Sequence, residues 1–277
     1  MLELGTTHRM EILRTTSVGL YLGLGDNEVL LPNKYVPESY EIGDAIEVFV
    51  YLDSLERIVA TTLDPLIKAN EFAYLKVTAL SEIGAFLDYG LEKDLFVPNK
   101  EQAIKMQLGE YYVVHCFLDE QSNRLMGSSR LNKFLSNEEL TVKRFDEVNL
   151  LISHFSDLGI NAIINNKHKG VIYHNEIYEQ LSVGQSLKGT IKLIRADNKI
   201  DLSLIPIGYK NIDPNANIIM EHLNKNQGVL MLHDKSDPDE IHRLLKMSKK
   251  NFKKAVGSLY KQKKIILKED RIELLKT

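Results

Sequence analysis

Ile83-Gly84-Ala85-Phe86-Leu87, followed by Phe96-Val97-Pro98-Asn99-Lys100, decides how the chain is read, because the pair of markers occurs three times. The first copy is Val18-Gly19-Leu20-Tyr21-Leu22 with Leu30-Leu31-Pro32-Asn33-Lys34. The third, without the proline, is Leu158-Gly159-Ile160-Asn161-Ala162 with Ile172-Tyr173-His174-Asn175-Glu176. A further strand opens on glycine in each copy, at Gly43, Gly109 and Gly184, and its partner follows a charged turn, from Arg57, Arg124 and Lys199. With first strands at Ile12 to Arg14, Leu75 to Thr78 and Leu150 to Ser153, each unit has about five short strands, which close most naturally into a small Greek-key barrel. Barrels are expected over 1–65, 70–132 and 146–208, with linkers at Leu66 to Asn70, Lys133 to Phe145 and Tyr209 to Pro214.

The remainder, 214–277, changes period. Ile218, Ile219, His222 and Leu223 have helical spacing, Gly228 to Leu232 reads as a brief strand, and Ser236-Asp237-Pro238-Asp239-Glu240 caps a second helix with acids in its first turn. A third helix runs from Ser248 to about Gln262, and Lys264 to Leu267 with Arg271 to Leu275 forms a hairpin. That order is a winged helix-turn-helix. Phe252, Val256 and Leu259 share the core face of the third helix, while Lys250, Lys253, Lys254, Gly257 and Lys261 share the other.

The net charge of −3 is unevenly spread. From Asn215 onward 14 Lys+Arg face 8 Asp+Glu, a net of +6 that leaves −9 on the preceding part. The first unit carries 4 Lys+Arg against 11 Asp+Glu, a balance that repels phosphate and points to a structural or protein-binding role. A hydrophobic fraction of 44% and a charged fraction of 26% are those of an ordinary globular protein. No long apolar run marks a membrane span, and the mixed N-terminus does not read as a secretory signal, so the chain is expected in the cytoplasm. Cys116, the only cysteine, excludes an internal disulfide and a thiolate metal site, and its apolar strand context predicts a buried structural thiol.

In the third unit, Lys169 to Ile177, Val183-Gly184-Gln185 and Asp197 to Leu204 resemble the RNA-binding S1 domain, an OB-fold barrel. Three such S1-like OB-fold five-stranded barrels followed by a C-terminal winged-helix (α+β) domain resemble, over nearly the whole chain, the bacterial conserved virulence factor B family of RNA-binding regulators. The resemblance implies single-stranded RNA as partner, with the ribosome or mRNA-associated proteins as further ones, and an influence on virulence genes.

Alternation in the second unit turns Ile83, Ala85 and Leu87 inward and Phe86 outward, where an aromatic plane either stacks on a base or packs against a neighbouring barrel. Phe86 matches the S1 family's stacking aromatic, Tyr21 stands at its position in the first unit, and Asn161 replaces it in the third. The family's binding-face histidine falls at Val97 in the second unit and at Tyr173 in the third, which makes Tyr173 and its neighbour His174 candidates; Phe96, in an apolar run without clear alternation, is another. Lys167, His168, Lys169, Lys188, Lys192 and Arg195 surround the third unit, and Lys249, Lys250, Lys253, Lys254, Lys261, Lys263 and Lys264 the third helix. Lysines neutralise phosphate without reading bases bidentately, so little sequence specificity is implied. No catalytic constellation stands out: Gly19, Gly23 and Gly25 have neither a Walker lysine nor dinucleotide spacing, and the histidines are scattered. A non-enzymatic RNA-binding regulator of gene expression is therefore expected, without cofactor, metal, membrane or small-molecule substrate. The alternative is a winged-helix DNA-binding transcriptional regulator that uses its barrels as a protein-interaction scaffold.

Overall fold

The computed structural model describes residues 2–174, 177, 180–204, 214–261 and 264–275. The chain divides into two units, Met1–Leu202 and Ser203–Thr277.

The first unit holds three closed five-stranded barrels. Strands β1 (Thr6–Thr16), β2 (Gly19–Leu24), β3 (Asn27–Pro32), β4 (Ala45–Leu52) and β5 (Ile58–Thr61) close in the order β1-β2-β3-β5-β4. The second barrel repeats this with β6 (Phe72–Leu80), β7 (Gly84–Asp88), β8 (Leu95–Pro98), β9 (Tyr111–Asp119) and β10 (Arg124–Ser128). The third uses β11 (Glu147–Ser156), β12 (Gly159–Ile164), β13 (His168–Tyr173), β14 (Ser186–Ile194) and β15 (Ile200–Ser203). Each first strand is longer than its apolar sequence core suggests and shifts register at the same place, at Ile12/Arg14, Val77/Ala79 and Ile152/His154. Such bulges bend a strand far enough for it to pair on both sides and shut the barrel.

The repeated glycine has a steric cause. A Cβ on Gly19, Gly84 or Gly159 would stand 2.0, 2.4 or 2.1 Å from the carbonyl oxygen of Leu31, Val97 or Ile172. The close strand approach is therefore open only to a residue with no side chain.

The register corrects two expectations. Gly19 pairs with Pro32, Gly84 with Pro98 and Gly159 with Tyr173, so the counterpart of Tyr173 is Pro98 rather than Val97, which lies opposite Ala85 and is fully buried. Ala85 and Leu87 point into the core as expected, but Ile83 is 69% exposed because it precedes β7 and is free of its alternation.

The barrels of this unit are packed together. Phe49 and Tyr51 on the outer side of β4 join a core cluster with Tyr89 and Leu91; Lys93 Nζ donates to the carbonyls of Leu52 and Asp53, and Arg124 pairs with Glu56. The acidic first barrel thus spends an outer face on the second. Between the second and third barrels, Phe72 and Val113 are buried with Leu135 and Ile163. Cys116 is fully buried, and burial pushes its thiol up to about 12, so it is the structural thiol expected.

In the second unit, α1 (Pro214–Lys225), β16 (Val229–Leu230), α2 (Pro238–Leu245), α3 (Lys249–Lys261), β17 (Ile265–Leu267) and β18 (Ile272–Leu274) form helices over a sheet ordered β16-β18-β17. Asp237 caps α2 by accepting from the Asp239 amide at 2.8 Å, as its acidic start predicted. Ile219, Leu223, Ile241, Leu245, Phe252 and Leu259 are fully or almost fully buried and make the core. Of the linker expected at Tyr209 to Pro214, residues 209–213 lie outside the described residues and Pro214 opens α1.

Candidate nucleic-acid interface

The clearest surface is on the second barrel. Phe86 lies directly opposite Phe96 on the neighbouring strand, and their ring centroids are 5.1 Å apart. Both side chains stand on the outer side, because Ala85, Leu87, Leu95 and Val97 take the inner one. The rings are half-buried and line a groove of about 390 Å³. In the first barrel the same two positions are Tyr21 and Leu30, in the third Asn161 and Val171, so only the second has an aromatic at both. The lack of alternation that obscured Phe96 has a simple origin: in Leu95-Phe96-Val97 the outer residue is as apolar as the inner ones.

The two tyrosine candidates are occupied. The Arg14 guanidinium sits 4.1 Å from the ring centroid of Tyr21 and also binds Glu28. Arg195 lies 5.6 Å from the ring of Tyr173, donates to its hydroxyl at 2.6 Å, and forks onto Asp201. Among the described residues no cation covers Phe86 or Phe96. An exposed cation–π contact is worth ~0.5–1 kcal/mol and base stacking ~1–3 kcal/mol; Arg14 is the easier of the two to displace, because its partner Glu28 is about half exposed whereas Asp201, which holds Arg195, is only 12% exposed.

The third barrel's basic candidates do not converge. Lys167 lies in the turn before β13 and Lys169 within it, whereas Tyr173 and the exposed His174 lie at its other end. At ~3.3 Å per residue Lys167 is roughly 20 Å and Lys169 roughly 13 Å from Tyr173. Lys188 and Lys192 are on β14, Lys188 with Glu147 at 3.7 Å. His168 is not a surface residue at all: it is fully buried, its Nδ1 donates to the Ser136 carbonyl at 2.6 Å, and its Nε2 accepts from the Thr141 amide. It fastens the linker to the barrel.

In the second unit Lys250, Lys253, Lys254 and Lys261 are exposed on α3, and Lys249 reaches the Lys235 carbonyl. Lys264 is half-buried beyond the helix, and Lys263 lies outside the described residues. Tyr260 is 56% exposed at the edge of this lysine face, and, one turn from the core residue Val256, its sequence context does not separate it from a core aromatic. An aromatic among lysines adds a stacking plane to a phosphate-binding face.

Comparison with known proteins agrees with this architecture. Residues 4–63 match the family model of the S1 domain, and residues 217–274 that of the CvfB-like winged helix domain. The chain carries an S1 domain and a CvfB-like winged helix domain. Both are nucleic-acid-binding domain types. Over most of its length the chain is similar to an uncharacterized protein, YitL, of Bacillus subtilis, 28% identical over 92% of this chain and 88% of that protein. It is also similar to a conserved virulence factor B of Staphylococcus epidermidis, 27% identical over 94% and 90%. A solved multidomain protein with nucleic acid binding domains from Streptococcus pneumoniae covers 98% of each chain at 23% identity, with a TM-score of 0.42. Among the described residues no helix is long and apolar enough to cross a membrane.

Proposed function

We propose that this S1 and winged-helix protein is a non-enzymatic post-transcriptional regulator that binds single-stranded RNA in the cytoplasm. The observation that carries this reading is the Phe86–Phe96 pair, two outward rings on adjacent strands with no cation over them among the described residues. A duplex presents its bases edge-on and stacked, whereas unpaired bases can stack on outward aromatic rings. The lysines of α3, with Tyr260, supply a phosphate-binding face, and Lys167, Lys169, Lys188, Lys192, Tyr173 and His174 are weaker candidates on the third barrel. Side chains that otherwise invite catalysis are committed to packing: Cys116 and His168 are fully buried. The staphylococcal relatives are named for virulence, which favours a regulatory role in bacteria, with the ribosome or mRNA-associated proteins as additional partners.

The test is binding of labelled single-stranded RNA, single-stranded DNA and duplex DNA by the whole chain across a salt series, with Phe86→Ala beside the unaltered protein. RNA preference, lost in part with Phe86, supports the reading. A preference for duplex DNA that is indifferent to Phe86 transfers the function to α3 and makes the barrels a scaffold for a transcriptional regulator.

A further inference from the structure

The outer side of β6 and β9 is only partly covered where the second barrel meets the third. Phe72 and Val113 are buried there, and His115 lies under Phe134. Further along the same strands Tyr74 and Tyr111 remain 38% and 48% exposed, with ring centroids 5.3 Å apart. A groove of about 760 Å³ opens over them. Its other wall is the third barrel, where Asn161, at the position of Phe86, stands opposite His154 on β11.

Charge distinguishes this groove from the surface around it. The part of the chain before Asn215 carries a net −9, yet the groove is lined by Arg130, Lys133 and Lys169 and by no carboxylate. Lys133 is held by Glu101 at 2.8 Å. Arg130 uses Nε on the Lys100 carbonyl, and Lys169 uses Nζ on Asn132, which leaves each group further donors for a phosphate. Tyr74 also packs against the Gly184 backbone: a Cβ on Gly184, whose φ is +83°, would stand 2.1 Å from its ring. A side chain already held by packing loses less entropy when a base arrives.

We propose that this groove holds one or two nucleotides of an RNA strand, with Tyr74 and Tyr111 of the second barrel supplying the stacking surface that the third barrel lacks at Asn161. The volume is in the ~300–1,000 Å³ range of small-ligand sites. Asn161, Asn132 and Ser153 add polar groups to the lining, and Arg130 and Lys169 add positive charge for a backbone phosphate. This inference rests on the RNA reading above and adds a second site to it.

The test uses the full chain and an oligouridine strand carrying 4-thiouridine. After photo-crosslinking, the modified peptides are mapped, and affinity is measured for the unaltered protein, Tyr111→Leu and Arg130→Gln. Tyr111 is exposed, so the leucine variant is expected to melt as the unaltered protein does. The expected result is crosslinks at peptides containing Tyr74 or Tyr111 and a loss of about five- to 150-fold in affinity for Tyr111→Leu. RNA binding with crosslinks only elsewhere, or with Tyr111→Leu within twofold of the unaltered protein, overturns the groove and leaves the Phe86 surface standing. Absence of RNA binding by the unaltered protein overturns both.

Discussion

The imidazole of His115 lies against the ring of Phe134, centroids 4.0 Å apart and planes 18° from parallel, and this stack joins the second barrel to the linker that follows it. Its Nδ1 has no hydrogen-bond partner among the described residues, and burial lowers its pKa from 6.5 to about 4. The unfolded chain therefore binds a proton between these values that the folded chain refuses. Stability from this site is fully present above pH 6.5 and is lost as pH falls toward 4. Between pH 7.5 and pH 5 the loss is expected to be about 2 kcal/mol. Urea unfolding of His115→Phe, which keeps the stack and removes the titration, should show a correspondingly flatter pH dependence.

Replacing Phe86 or Phe96 by alanine should weaken single-stranded RNA binding by ~1–3 kcal/mol each. Because the rings touch, the double variant should lose less than the sum. Fluorescence anisotropy with labelled RNA measures both, and a thermal melt of each variant separates loss of binding from loss of fold.

Arg195→Ala removes the partner of Asp201, whose side chain is only 12% exposed. A carboxylate left so enclosed should cost about 1–3 kcal/mol in stability. Arg14→Ala, at an ion pair that is about half exposed on both sides, should cost less than about 1 kcal/mol. Parallel melts of the two variants decide whether the cover over Tyr173 is more firmly held than that over Tyr21.

Gly159→Ala forces a methyl group to 2.1 Å from the Ile172 carbonyl oxygen at a φ of +150°. The strands must separate to admit it, at an expected cost of roughly 2–4 kcal/mol. Gly25→Ala, where nothing lies within 4 Å but φ is +58°, should cost only about 1 kcal/mol. The two unfolding midpoints distinguish crowding from backbone strain.

Changing Lys250, Lys253 and Lys261 together to glutamine should leave the fold intact, since all three are exposed. Each that contacts phosphate should lower the salt dependence of RNA binding by about 0.7 in log–log slope. An unchanged slope removes α3 from the interface.

The repeat was legible because barrel closure makes the same demands three times: glycine where strands cross closely, at Gly19, Gly84 and Gly159, and alternating apolar residues beside it. The winged helix was legible from helical spacing and the cap at Asp237. What one sequence hid were the surfaces between barrels. On β9 both sides are buried over Val113 to Cys116, so the strand shows no inside–outside alternation that would reveal that Tyr111 points into a groove. His168 was misplaced for a related reason: a histidine between two lysines looks exposed until a distant linker, at Ser136 and Thr141, supplies its partners.

The linker's attachment has a further consequence. His168 binds Ser136 and Thr141, and Asn137 bonds the backbone of Lys169 and Asn198, so the segment between the second and third barrels is a clasp rather than a tether. Tyr74 on Gly184 closes the other side of the same joint. Two sites on such a joint are a fixed distance apart, and a strand touching both is measured against a ruler. Lengthening an RNA should then raise affinity in a step, at the length that first spans the gap, where a slack tether would give a gradual climb.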